Sequence, residues 1–274
     1  MKSFFFFSLL CIGLLTNNII YAQCDWQDLG PSDTNTVRNE AVSFSDMALD
    51  NNDHPYTVFS DGDESGKITV RKFNNAIWTT TGTAGFSTGI ASYNSIDVDN
   101  TDTPYVAYCD YGNGDKAIVK QFDGTDWIQV GAALSTGSAA YTSLFIDDNN
   151  IPFVAFKDIA NGNKITVKKF DGTNCILVGS AGFSSGIANY VSLVVDNTGT
   201  PFVTYQDGGN GNKASVKKFD GSTWITIGLE GFTTGSSSYT KVAVNSSGEP
   251  SVVFSDEANG DKIKVMEYDG TNWV

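Results

Sequence analysis

Apolar and polar positions alternate over short stretches throughout this chain. YTSLFID (141–147), YVSLVVD (190–196), PFVTYQD (201–207), KITVKKF (164–170) and WIQVG (127–131) are rich in β-branched and aromatic side chains and stop at Gly, Asn, Asp or Pro. No window carries an apolar i, i+3, i+4, i+7 stripe of helical length. The pattern predicts an all-β protein.

The same stretches return with a period. A tryptophan slot falls at Trp26, Trp78, Trp127, Cys175, Trp224 and Trp273, with steps of 52, 49, 48, 49 and 49 residues, and it holds all five tryptophans. Five of the six prolines recur likewise, at Pro55, Pro104, Pro152, Pro201 and Pro250, each opening a second strand where a missing N–H costs a sheet little. Each unit reads as four strands. The Asp-Gly of FDGT predicts a tight hairpin between the third and fourth, with Asn74-Asn75 standing there in the first copy. Four antiparallel strands every 49 residues or so match a β-propeller blade. Five sets of first, second and third strands are present. The expectation is a five-bladed propeller in which the early strand WQDLG (26–30) pairs with the region around 262–268 and closes the ring. The competing expectation is a fragment of a six- or seven-bladed array.

The unit W-x-x-x-G, Y-x-S-L-x-V-D, P-x-V-x-Y-x-D, V-x-K-F-D-G-T-x-W, running from Trp26 to Val274, resembles repeats in secreted proteins of Bacteroidetes-type bacteria. That resemblance implies a propeller of five to seven blades and, in many such proteins, a terminal sorting domain for type IX secretion. The sequence shows no such module, a departure from that pattern.

The chain opens MKSFFFFSLLCIGLLTNNIIYAQ, a lysine followed by an apolar run from Phe4 to Leu15 and a small residue at Ala22. This reads as a signal peptide over 1–22, leaving 23–274 as the propeller. The run is too short to span a bilayer, which takes about 20 apolar residues. Lys2 leaves with the leader. Whole-chain counts of 17 basic and 31 acidic residues predict repulsion of nucleic acid and anionic lipid. The expected product is a monomeric, exported propeller without membrane insertion, free or at the cell surface. Three cysteines remain after the leader, Cys24, Cys109 and Cys175, too few for a disulfide framework.

KFDGTNCILVG (169–179) and QFDGTDWIQVG (121–131) differ chiefly in Cys175 for Trp127. Cys175 therefore reads as a drifted copy of a structural tryptophan, in a blade that packs less well.

Candidate chemistry is sparse. The one histidine, His54, sits in the turn NNDHP, on the rim opposite the inter-blade connections, which argues against Ser-His or Cys-His catalysis. Asp46 and Asp97 are the acids of the innermost strands, and a glycosidase reading would rest on them. Asp61, Asp110, Asp158, Asp207 and Asp256 end the second strands, each six residues before a lysine (Lys67, Lys116, Lys164, Lys213, Lys262). A cross-strand ion pair or a carboxylate cap on the glycine-rich loop explains them, with calcium as the alternative for DYGNGD (110–115). No other cofactor is expected. Phe44, Tyr93, Tyr141, Tyr190 and Tyr239 recur in the first strands and are expected to ring the mouth of the axis, where they either pack between blades or stack on sugars. The sequence points to a secreted, non-catalytic module for glycans or surface partners, multivalent through its repeats. An interaction domain of a larger surface protein is the next reading and a propeller glycoside hydrolase the third.

Overall fold

A computed structural model describes residues 41–274. The leader, Cys24, Trp26 and the WQDLG clasp lie outside the described residues. Five antiparallel sheets follow in chain order, arranged as a β-propeller. Blade 1 is β1 (Val42–Leu49), β2 (Pro55–Asp61), β3 (Lys67–Asn74) and β4 (Ile77–Thr80). Blade 2 is β5 (Ala91–Val98), β6 (Pro104–Asp110), β7 (Lys116–Phe122) and β8 (Trp127–Gln129). Blade 3 is β9 (Ala139–Ile146), β10 (Pro152–Asp158), β11 (Lys164–Phe170) and β12 (Cys175–Leu177). Blade 4 is β13 (Ala188–Val195), β14 (Pro201–Asp207), β15 (Lys213–Phe219) and β16 (Trp224–Thr226). Blade 5 is β17 (Ser237–Val244), β18 (Pro250–Asp256) and β19 (Lys262–Glu267). A fourth strand begins there too: Tyr268 bridges to Trp273, and Glu267 exchanges backbone hydrogen bonds with Val274.

The hairpins between third and fourth strands refine the sequence expectation. The glycine, at φ 93–99°, takes the first central position rather than the second. The preceding aspartate caps the turn, as Asp171 does by accepting from the amides of Thr173 (2.9 Å) and Asn174 (2.7 Å). In the first copy Asn75 and Ala76 hold the turn, both at positive φ.

The core lies between blades. Val58, Ile68 and Val70 of blade 1 pack on Ile96, Val98 and Val106 of blade 2, all buried. Ile165 and Val167 of blade 3 meet Leu193, Val195 and Val203 of blade 4 in the same way. Each such side chain contributes about 1.5–3 kcal/mol when fully buried. First strands pack side by side from β1 through β5, β9 and β13 to β17, and among the described residues no comparable packing returns from β17 to β1. The terminal faces are open accordingly. Met47 is 63% exposed where its counterpart Ile96 is 4% exposed, and Ile263 is 82% exposed where Ile68 is fully buried.

Candidate functional site

Every first strand bulges at its aromatic residue, where the register with the second strand shifts. Phe44, Tyr93, Tyr141, Tyr190 and Tyr239 all sit at φ 50–54°, left-handed backbone that β-carbon sterics disfavour. The bulge turns each ring onto the next. Centroids lie 5.1, 4.7, 5.3 and 4.8 Å apart along the series, with tilts of 46–55°. The five residues thus form one continuous aromatic arc, with Phe44 and Tyr239 exposed at its ends. Their faces are engaged by neighbouring rings, so the arc acts first as an inter-blade brace. Burial, then the adjacent tyrosines, raises the Tyr141 hydroxyl above the ordinary tyrosine range and leaves it a neutral donor.

Asp46 and Asp97 serve the same joints. The Asp46 carboxylate accepts from the Ser95 hydroxyl (3.0 Å) and the Ile96 amide (3.2 Å) of the next blade. Ser95, Ser143 and Ser192 accept equivalent amides from Leu144, Leu193 and Val242. Asp97 accepts from the amides of Val98 (2.9 Å) and Ile146 (2.8 Å). The two innermost-strand acids thus both accept backbone amides across a blade joint.

The second-strand aspartates face their lysines in register, as in Asp110 with Lys116 and Asp207 with Lys213. They act as loop caps. Buried Asp110 holds the amides of Gly112, Gly89 and Thr88 at 3.0, 2.9 and 3.2 Å. Buried Asp207 accepts from the Gly209 amide, Asn210, Ser185 and Ser215 at 2.9–3.0 Å. Asp158 accepts from Asn161 and Thr166, and Asp61 from the Asp63 amide. Asp256, also buried, precedes the equivalent one-turn 3-10 helix. Among the described residues no group of three His, Cys, Asp or Glu side chains is close enough to hold a metal ion.

The tryptophan slot ties fourth strands together. Trp127, Trp224 and Trp273 donate their indole N–H to Thr81, Val178 and Ile227 of the preceding blade, at 2.9, 2.8 and 3.1 Å. Each indole stacks on a phenylalanine of the connection before it: Phe86, Phe183 or Phe232, at 4.7, 4.2 and 4.1 Å. Trp78 packs on Phe73. In blade 3 both partners have changed together, to Cys175 and Leu134, and the thiol lies 3.5 Å from the Val130 carbonyl. Burial raises the thiol pKa of Cys175 and pushes that of Cys109 up to about 12. Both cysteines are therefore expected to resist a thiol-specific disulfide reagent in the folded protein at pH 8. The check is labelling kinetics with and without denaturant; rapid native labelling of Cys109 would contradict the buried-thiol account.

A groove of about 660 Å³ lies between blades 3 and 4. Blade 3 contributes Phe153, Lys169 and the run 177–179; blade 4 contributes the turn 199–201, Lys218, the hairpin residues 219–221 and Ile225. The first-to-second-strand turns and the hairpins share a rim, opposite the aromatic arc. Its lining is mixed, with Phe153, Leu177, Val178 and Ile225 beside Lys169, Thr200, Lys218 and Asp220. Sequence reading missed it because its lining comes from segments about 50 residues apart, which only the blade stacking joins.

Solved structures similar in fold to the chain include three of interest. These are a Dyadobacter fermentans protein of unknown function (TM-score 0.56, 12% identity, covering 84% of this chain and 79% of that one), the SapL1 lectin in complex with alpha methyl fucoside (0.59, 19%, 85% and 80%), and the fucose-specific lectin from Aleuria aurantia (0.57, 15%, 84% and 75%). At these identities the likeness establishes the propeller class alone. No protein-family model and no curated protein sequence matches the chain.

Proposed function

We propose that this protein is an exported, non-catalytic saccharide-binding propeller. The groove between blades 3 and 4 carries the reading, being concave and lined by apolar and polar groups together in a fold shared with fucose-binding lectins. The roles of Asp46 and Asp97 as inter-blade acceptors support the non-catalytic part. The leader-like start supports export, and among the described residues no helix is long and apolar enough to cross a membrane. The frame of turn and hairpin that edges the groove recurs at each blade junction, so weaker copies of the site would act together on a repetitive glycan.

A glycan array probed with the leaderless protein tests this. Leu177 lines the groove and is exposed, so Leu177→Trp should block the site without disturbing the core. Binding to whichever glycan is captured should weaken about tenfold or more. Silence across a broad panel, or binding untouched by the blocking residue, would overturn the assignment.

A further inference from the structure

We infer that the groove between blades 3 and 4 selects a saccharide bearing an anionic group, a carboxylate or a sulfate ester; this rests on the saccharide-binding reading. The argument begins with a position that varies among blades. Counterparts 72, 121, 169, 218 and 267 read Lys, Gln, Lys, Lys and Glu. Each junction is flanked by two consecutive members of that series, so only the junction of blades 3 and 4 is flanked by two lysines. Both line the groove.

Among the described residues two lysines of the third strands pair with a carboxylate. Lys72 pairs with Asp50 at 2.8 Å, and Lys217, one position earlier in the repeat, pairs with Glu230 at 2.5 Å. Among the described residues neither Lys169 nor Lys218 has a carboxylate within ion-pair distance. The Lys169 ammonium instead stands 5.6 Å from the centre of the Phe153 ring, its register partner on β10.

The turn acids of this junction accept from their own turns, as Asp50 does: Asp147, the counterpart of Asp50 in blade 3, accepts from the amides of Asn149 and Ile151 at 2.9 Å. Asp220, in the groove lining, accepts from the amides of Ser222 and Thr223 at 2.8 Å, and Asp196 from those of Thr198 and Thr200 at 2.9 Å. In a chain of formal charge −14, Lys169 and Lys218 bring two ammonium groups to one concavity whose lining holds a single acid, Asp220, and so supply it with cationic donors for an anion. The apolar wall of Leu177, Val178 and Ile225 suits the faces of a pyranose ring and sets the site apart from one for bare phosphate. The overall acidity favours short probes over polyanions, which the protein's field repels at a distance.

The test is calorimetric titration of the leaderless protein with a galacturonate trisaccharide, its methyl ester and a sulfated neutral trisaccharide. Lys169→Gln with Lys218→Gln is the main variant, and Gln121 already occupies the same position in blade 2, so the fold tolerates it. The acid or the sulfate ester should bind about tenfold or more tightly than the methyl ester, and the double variant should erase that difference. Lys169→Arg with Lys218→Arg should retain it. Preference for one charged arm alone supports the inference and tells carboxylate from sulfate. Equal binding of acid and methyl ester overturns the inference but leaves the saccharide reading standing. The inference also falls, alone, if neutral glycans bind and no charged probe does. Failure of every saccharide, neutral or charged, removes both.

Discussion

Trp224→Ala is expected to lower the unfolding free energy by about 3–5 kcal/mol, the range for truncating a packed tryptophan. The substitution removes the stack on Phe183, the packing on Phe219 and the indole hydrogen bond to Val178 at once. Cys175→Ala, in the same slot one blade earlier, should cost only about 1 kcal/mol, because the stack and the N–H donor are already gone there. Urea midpoints of the two variants measure the contrast. Comparable losses would mean that the slot does not work as an inter-blade tie. The reverse experiment sharpens the point: Leu134→Phe and Cys175→Trp should be favourable only in combination, with a coupling of about 1 kcal/mol or more in a double-mutant cycle.

Asp207→Ala comes next in size, at about 2–5 kcal/mol. The carboxylate is fully buried and accepts from a backbone amide, two hydroxyls and an asparagine, and its loss leaves those donors without their acceptor. Ser185 belongs to the connection between blades 3 and 4, so one buried acid pins both its own loop and the entrance to its blade. Asp207→Asn keeps the shape and one acceptor oxygen and should fall between wild type and alanine. The same denaturation assay orders the three; an alanine variant within 1 kcal/mol of wild type would remove the cap from the account, since one lost charged hydrogen bond alone is worth about 1.5–3 kcal/mol.

Much of this architecture was legible because it repeats. The spacing of Trp127, Trp224 and Trp273, the prolines at strand starts and the glycine after each hairpin aspartate all report local backbone demands, and each landed on the element expected of it. The drift at Cys175 was legible too, although its companion was overlooked: ALSTG carries Leu134 where sibling copies carry phenylalanine, a visible sign that stacked partners had changed together. What periodicity could not reveal depends on the third dimension. Nothing in a tyrosine announces φ near 50°, which is normally glycine or asparagine territory, so the bulges that build the aromatic arc were hidden. The groove was hidden for another reason: Lys169 and Lys218 are unremarkable alone, and their meeting requires the stacking of one blade on the next.

The direction of the indole ties has a consequence for biogenesis. Each tie runs from a blade's last strand to the carbonyl of the blade before it, so a newly formed blade always finds its acceptor already made. A chain delivered amino end first can therefore latch one sector at a time, each finished sector serving as the template for its successor. Sector three, with only a thiol to offer, is where such stepwise assembly should pause.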